Sequence, residues 1–311
     1  MVFTWRGNMI TNVSLVALAF TIVTDLSLAQ SAGPTQGPEQ NFLKRNYVSG
    51  QRIVYRMTGT NRRPDRTTSY EAAAEGVVKQ DSAGHFYEEY RWSRVTVNGK
   101  TLELPTDSAG STQLLSLSPD YPLAMPDLSR VPPALIGPVT DLLTFYVDVR
   151  LAMEQPKLRR PGDRVRIPHA KANSWADGSR VLLGEDAIDF DIAVEELDES
   201  AGVVTILVRH VPPAKSAIKI PVDWMREPVA EVPNNWVQVS RTRDGKYLAG
   251  IGKETFDVEI RLSLADGSII SARMDNPVTI SERECADEAL KQCGKATEYQ
   301  IVRVVEITRV E

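Results

Sequence analysis

Cysteine and histidine are both scarce in this chain, which has 2 cysteines and 3 histidines among its 311 residues. A zinc site needs about four ligands, and no histidine here has another His or Cys close enough in sequence to supply them. The cysteines, Cys285 and Cys293, do not form a C-x-x-C motif, which disfavours a thioredoxin-like redox role. We therefore predict no metal and no cofactor.

The sequence also lacks the short motifs that mark common catalytic and nucleotide-binding sites. It contains no G-x-S-x-G elbow, no H-E-x-x-H pair, no Walker loop and no G-x-G-x-x-G fingerprint. The formal net charge is −5, and basic residues occur only in short groups, which argues against nucleic-acid binding. These absences favour a protein without enzymatic activity. A carboxylate-dependent hydrolase is the enzymatic alternative.

The N-terminal region has the order of a secretory signal peptide. Arg6 precedes an apolar run over Met9–Val23, and the small residues Ser27 and Ala29 follow it. The run has about 15 residues, whereas a membrane-spanning helix needs about 20. We predict a signal peptide over 1–29, no stable membrane span after its cleavage, and a mature protein in the periplasm or outside the cell. A retained N-terminal anchor is the alternative.

Export changes how the two cysteines are interpreted, because cysteines in an oxidising compartment usually pair. In one continuous helix the Cα atoms of Cys285 and Cys293 would stand about 12 Å apart. A disulfide requires about 4.4–6.8 Å, so the chain must turn between them. We predict a disulfide that closes a loop over 285–293 between two strands.

Hydrophobic residues recur with a period of two along most of the chain. In 187–197 and 254–264, apolar residues alternate strictly with polar ones, which is typical of strands with one buried face. Three dipeptides mark hairpin turns between such strands: Asn98-Gly99, Asp244-Gly245 and Asp266-Gly267. The fold is predicted to be mainly β, with a large curved antiparallel meander sheet that forms a half-barrel or open barrel-like structure.

One segment has a helical period instead. A single apolar helix is predicted near 138–154, with Pro138 in its first turn and a proline-rich stretch before it. Six residues share its apolar face: Val139, Leu142, Leu143, Tyr146, Val149 and Met153.

The helix separates two β-rich parts. We predict a flexible N-terminal lead over 30–48, an N-terminal antiparallel half over 49–117, a proline-rich connector and helix over 118–161, and a C-terminal antiparallel half over 162–311. The two halves are candidates for an internal duplication, a question that their short sequence match leaves open.

Few polar residues form recognisable constellations. Asp189, Asp191 and Glu195 share a predicted strand, where they could bind a cation or act as an acid–base pair. His85 and Glu89 share a strand face and could form a coupled pair. The competing interpretation in both cases is a solvated sheet face.

The functional hypothesis follows from shape. A coiled antiparallel sheet has an apolar concave face, and incomplete cover by the helix and proline-rich segments would leave a ligand groove. Seven residues are predicted to line it: Tyr90, Trp92, Leu142, Tyr146, Trp175, Trp224 and Trp236. The layout is similar, at the level of fold alone, to the half-barrel of periplasmic lipoprotein carriers. We expect an exported, non-catalytic protein that binds an apolar, lipid-like small molecule or an envelope protein, with a structural or assembly role in the cell envelope as the alternative.

Overall fold

The computed structural model describes most of the chain after residue 41. The described residues are 42–104, 109–123, 126–128, 130–168, 181–215 and 218–310. The predicted signal peptide, His169 and Trp175 lie outside them. Gln40–Glu311 forms one compact unit.

The described residues form 14 strands and one α-helix, together with short 3-10 helices. The strands are β1 Arg52–Arg62, β2 Thr67–Gln80, β3 Phe86–Val97, β4 Lys100–Glu103, β5 Thr112–Leu115, β6 Arg164–Pro168, β7 Val181–Asp186, β8 Asp189–Asp198, β9 Val203–Val211, β10 Trp236–Arg241, β11 Tyr247–Glu254, β12 Phe256–Ser263, β13 Ile269–Cys285 and β14 Thr297–Val310. Helix α1 spans Ile136–Met153, and the 3-10 helices span Ala109–Ser111, Pro133–Leu135 and Asp223–Arg226.

All the strands belong to one antiparallel sheet. Its main path has the order β4-β3-β2-β1-β14-β13-β12-β9-β8-β6, and the end strands β4 and β6 do not pair with each other. The long strand β13 pairs with β12 over its first part and with β11 over its second, and β11 continues through β10 to β7. The prediction of a mainly β fold with an open, curved antiparallel sheet is confirmed. The pairing of β1 with β14 joins the N-terminal and C-terminal parts of the chain.

The alternating pattern of the sequence determines which face of each strand is buried. In β1, Ile53, Tyr55 and Met57 are buried, whereas Arg56 and Thr58, which point to the other face, are exposed. The buried faces of strands from both parts of the chain pack on α1 and form one large core. The sheet therefore curves around the helix, as expected for long twisted strands.

The three predicted hairpin turns are present with two geometries. At the first turn both Asn98 and Gly99 have positive φ, 48° and 77°, as a type I′ turn requires. At the other two turns the glycine alone has positive φ, 86° at Gly245 and 71° at Gly267. A single left-handed glycine is typical of the longer hairpin loops built on a type I turn.

Helix α1 is buried on most of its surface. It starts two residues before the predicted range and follows directly from the 3-10 turn at Pro133–Leu135. Its buried residues point in several directions because the curved sheet surrounds it: Val139, Asp141, Leu142, Leu143, Phe145, Tyr146, Asp148, Val149 and Ala152 are among them. Within the described part of the chain, no helix has both the length and the hydropathy needed to cross a membrane.

A second, smaller core lies where β7, β10 and β11 pair. The proline-rich segment 211–236 contributes Ile218 and Met225 to it, and the disulfide loop contributes Leu290. Cys285 and Cys293 form the predicted disulfide, with their Cα atoms 3.9 Å apart. The loop between them therefore reverses direction and connects β13 to β14.

Candidate functional site

The residues predicted to line a groove fall into separate clusters. Tyr90, Trp92, Leu142 and Tyr146 do come together, and all four are buried between the sheet and α1. The rings of Tyr90 and Tyr146 meet edge-on with centroids 6.1 Å apart.

The other two described members of that set, Trp224 and Trp236, lie elsewhere. Trp224 belongs to the smaller core, where its Nε1 donates to the carbonyl of Leu290 at 3.3 Å. Trp236 opens β10 and packs with Val278 and Ile280.

The aspartates singled out from the sequence belong to a charged ladder on the outer face of the sheet. Asp189 pairs with Arg166 at 2.9 Å, and Asp191 pairs with Arg164 at 3.0 Å. Glu195 is exposed. In the described ranges no three His, Cys, Asp or Glu residues are arranged to bind a metal ion.

His85 and Glu89 are not coupled to each other. The His85 ring contacts Asp81 within its own turn, at 3.2 Å, and Glu89 pairs with Lys79 at 2.8 Å. Both contacts are structural interactions at the surface.

A line of polar side chains crosses one end of the concave face. Thr68, Asn61, Arg303 and Asn276 lie opposite one another on the neighbouring strands β2, β1, β14 and β13. His210 on β9 continues this line beyond β12. We call these five residues the polar row. The adjacent line of the same face is apolar, with Val305, Met274, Val258 and Val208 paired in succession.

Two aspartates of α1 contact the polar row. Asp141 accepts from the Tyr70 hydroxyl at 2.6 Å and forms an ion pair with Arg303. Asp148, seven residues later, contacts Nε2 of His210 at 2.8 Å. Burial raises the pKa of both aspartates above the ordinary value, although Arg303 and His210 respectively favour the charged forms.

The spacing of these contacts gives the direction of the helix. Asp141 and Asp148 are about 10 Å apart along the axis, at 1.5 Å per residue. Arg303 on β14 and His210 on β9 are separated by two intervening strands, about 14 Å at the usual strand spacing. Helix α1 therefore crosses the strands instead of running along them.

A third buried contact joins α1 to β3. Glu88 accepts from Arg45 Nε at 3.0 Å and from the Tyr90 hydroxyl at 2.7 Å, and the Tyr146 hydroxyl also donates to it. Burial, followed by the negative charge of Glu88, raises the pKa of both tyrosines well above the ordinary value. The pairing of Arg45 with Glu88 removes the penalty of leaving either charge buried alone.

The same charge network continues to Asp266 in the β12–β13 turn. Arg45 lies 3.7 Å from this carboxylate, which also accepts from Gln51 at 2.7 Å and from Ser268 at 2.8 Å. Burial opposes ionisation of Asp266, but these hydrogen bonds and the Arg45 charge together lower its pKa to about 2.

Two further carboxylates belong to the last residues of β7 and β11, Asp186 and Glu254 respectively. Asn276 Nδ2 donates to Glu254 at 3.1 Å, and Asn235 bonds the backbone of both Glu254 and Ala187. Burial raises the pKa of Glu254 to about 7 and that of Asp186 to about 6, while the nearby charge of His210 acts in the opposite direction.

Some buried polar atoms at this end of the sheet are not satisfied. Asp148 Oδ2, Asp186 Oδ1 and Asn61 Oδ1 are buried and have no hydrogen-bond partner among the described residues. Each such atom costs about 1–3 kcal/mol, so they mark positions where binding of a donor would be favourable. His210 could act as a base, but within the described ranges its ring bonds to Asp148 and to no hydroxyl or thiol nucleophile.

A cavity of about 220 Å³ opens where the polar row meets the start of α1. Its lining residues come from β1, β2, β3, β14, the 3-10 helix Pro133–Leu135 and the first turn of α1: Gly59, Thr60, Asn61, Thr68, Ser69, Tyr70, Val97, Pro133, Ala134, Gly137, Pro138 and Arg303. None of the six described residues predicted to line a groove contributes to it.

Sequence reasoning missed Asp141, Asp148 and His210 as site residues. A signal was present for each of them. The two aspartates are two turns apart and share one side of the predicted helix, away from its apolar face, and His210 has the same phase as the buried Val204, Ile206 and Val208 of its strand.

No known protein-family model matches this chain, and no curated protein matches it either.

Proposed function

We propose that this protein is exported and binds an apolar, lipid-like ligand on the concave face of its sheet, with helix α1 as a movable cover. One observation carries the proposal: α1 contacts the sheet through buried polar pairs at Asp141, Tyr146 and Asp148. A helix that belonged permanently to the core would be stabilised equally well by apolar side chains of similar volume.

Buried polar pairs make such a cover easier to displace. When the part of α1 that carries Tyr146 and Asp148 leaves the sheet, water rehydrates the charges of Asp148 and Glu88, which offsets part of the lost contact energy. The start of the helix stays in place, with Asp141 paired to Arg303. The apolar side chains of the concave face, such as Val258 and Met274, would then be covered by the ligand. Ligand burial at about 25 cal/mol per Å² supplies the driving force.

Export is supported by two features. The N-terminal sequence has the order of a signal peptide, and Cys285 and Cys293 are paired as expected in an oxidising compartment. A structural role in an envelope assembly would require a continuous apolar surface patch. The large apolar side chains exposed in the described residues, Val48, Leu114 and Leu182, belong to three different segments.

Mass spectrometry of the mature protein, purified from an exporting host, tests the proposal directly. The protein is measured under native conditions and again after solvent extraction. A co-purifying apolar species that is lost on denaturation supports ligand binding and identifies its chemical class. A clean apo mass, together with no binding of the apolar fluorophore N-phenyl-1-naphthylamine, overturns it.

A pair of tyrosine variants tests the role of the helix. Tyr146→Phe removes a hydroxyl that joins α1 to Glu88, whereas Tyr299→Phe removes one that donates to Glu282 between β14 and β13, at 3.1 Å. We expect Tyr146→Phe to bind N-phenyl-1-naphthylamine faster than the wild type and Tyr299→Phe to bind it at the wild-type rate. Equal rates for all three proteins would contradict the covering role of α1.

A further inference from the structure

The cavity at the start of α1 has the size of a headgroup and not that of a complete lipid. Ligand pockets for drug-sized molecules have volumes of about 300–1,000 Å³. This cavity has about 220 Å³ and opens at the end of the concave face where the polar row lies. An acyl chain placed on the concave face under α1 would have its headgroup end near this cavity.

The charges around the cavity disfavour an anionic occupant. Among the described residues of its lining, Arg303 is the only charged one, and this guanidinium is already paired with the buried carboxylate of Asp141. A carboxylate or phosphate would have to displace Asp141 and leave that group buried without a partner, which is strongly unfavourable. A cation would meet the Arg303 charge directly.

The remaining polar groups suit a neutral occupant with hydroxyl groups. Asn61 Oδ1 is buried without a partner in the described residues, so it needs a donor that a carboxylate or an ester cannot supply. Thr68, on the same sheet face as Asn61, adds a hydroxyl that both donates and accepts. Arg303 has five N–H groups, and those not directed at Asp141 can donate to a hydroxyl oxygen.

Other lining residues of the cavity are apolar. They are Val97 on β3, and Pro133, Ala134, Gly137 and Pro138 at the start of α1. A carbon skeleton with hydroxyls along one edge, such as a glycerol unit or a single sugar ring, matches a lining that is part polar and part apolar.

We propose that this cavity binds the neutral, polyhydroxyl headgroup of an acylated ligand, with a glycerol- or sugar-like unit against Asn61 and Arg303. The inference depends on the proposed function, since it assigns the headgroup of the same apolar ligand. It excludes free fatty acids and phospholipids as the preferred cargo.

Displacement of N-phenyl-1-naphthylamine by three lipids with the same acyl chain tests the assignment. The lipids are 1-monooleoylglycerol, methyl oleate and oleic acid, and free glycerol and methyl glucoside are included as headgroups without a chain. We expect 1-monooleoylglycerol to bind about tenfold more tightly than methyl oleate, because only the former satisfies Asn61. Oleic acid should show no advantage over methyl oleate.

Two substitutions on the same strand provide the matched comparison. Asn61→Leu should reduce the advantage of 1-monooleoylglycerol to less than twofold and leave binding of methyl oleate unchanged. Thr58→Leu, on the exposed outer face of β1, should preserve the advantage.

The outcomes separate this inference from the proposed function. Equal binding of the three lipids, or an advantage that persists in Asn61→Leu, overturns the headgroup assignment and leaves apolar ligand binding intact. Tight binding of free glycerol or methyl glucoside with no gain from an acyl chain assigns the cavity to a free polyol and overturns the acylated ligand. Binding of none of these compounds removes both proposals.

Discussion

Asp148 on α1 and His210 on β9 form a contact of 2.8 Å in the interior, where their side chains are 0% and 7% exposed. The rings of Phe190 and Phe256 flank the imidazole, with centroids 4.7 and 4.6 Å away. In these apolar surroundings, each side chain of the pair offsets the cost of burying the other one. The contact joins α1, which covers the concave face, to strand β9.

The first prediction concerns the loss of one member of this pair. His210→Leu leaves the buried Asp148 with no partner, so we expect the free energy of unfolding to fall by about 3–5 kcal/mol. Urea denaturation at pH 7 measures the change. In the double variant His210→Leu/Asp148→Leu no charge is left unpaired, and it should be more stable than His210→Leu alone. A double variant that loses the sum of the two single effects would show that the residues are not coupled.

The second prediction concerns pH. The pKa of Glu254 is raised from 4.5 to about 7 in the folded protein, so between these pH values the folded state binds more protons than the unfolded state. The free energy of unfolding therefore decreases as the pH rises through this window and is lowest above about pH 7. Glu254→Gln removes this titration and keeps an oxygen that can accept from Asn276.

We expect Glu254→Gln to raise the stability at pH 8 by about 1–3 kcal/mol and to have little effect at pH 4.5. Urea denaturation at a series of pH values measures both. Glu298→Gln, at an exposed position of β14, is the matched control and should leave the profile unchanged. Asp186, whose pKa is raised to about 6, should preserve part of the slope in the Glu254 variant. An unchanged slope in Glu254→Gln would contradict the assignment.

The third prediction concerns the disulfide loop. The loop is short, with a sequence separation of 8, so its closure constrains the unfolded chain only moderately. Replacing both cysteines by serine should lower the free energy of unfolding by about 2–3 kcal/mol and leave the fold intact. Thermal unfolding of the oxidised wild type, the reduced wild type and the double serine variant measures this. The reduced wild type should match the variant, and a much larger loss in the variant alone would indicate that serine disrupts packing against Tyr247 and Leu290.

Much of the architecture could be predicted from the sequence because it depends on local patterns. Strict alternation in β8 and β12 fixes which side of each strand is buried, and Asn98-Gly99 fixes a hairpin. The helix was predicted to within two residues at its start because its period differs from that of its neighbours.

The site could not be predicted in the same way because it depends on pairing between distant strands. Asn61 and Arg303 are 242 positions apart in sequence, and only the β1–β14 register makes them neighbours. Asp148 and His210 likewise meet only once the sheet has curved around α1. Predicted candidates such as Asp189 and His85 were chosen by local spacing, which cannot distinguish a surface ion pair from a buried one.

The last prediction concerns the close approach of a tyrosine to a glycine below the cavity. The Tyr70 ring lies over Gly59 on the neighbouring strand, so that its hydroxyl reaches Asp141. A Cβ atom at Gly59 would lie inside the van der Waals radius of the ring. Gly59→Ala should therefore displace Tyr70, break its bond to Asp141 and cost about 1–3 kcal/mol.

The effect of Gly59→Ala should depend on the ring that it displaces. In a Tyr70→Ala background there is no ring to collide with, and the same substitution should cost much less than in the wild type. Gly294→Ala, where a Cβ would make only an ordinary contact 3.6 Å from the Glu284 carbonyl, is the control and should be close to neutral. Urea denaturation of the four proteins of this cycle gives the coupling energy. An equal cost of Gly59→Ala with and without Tyr70 would mean that the glycine is needed for the strand itself, and that the position of Tyr70 against Asp141 does not depend on it.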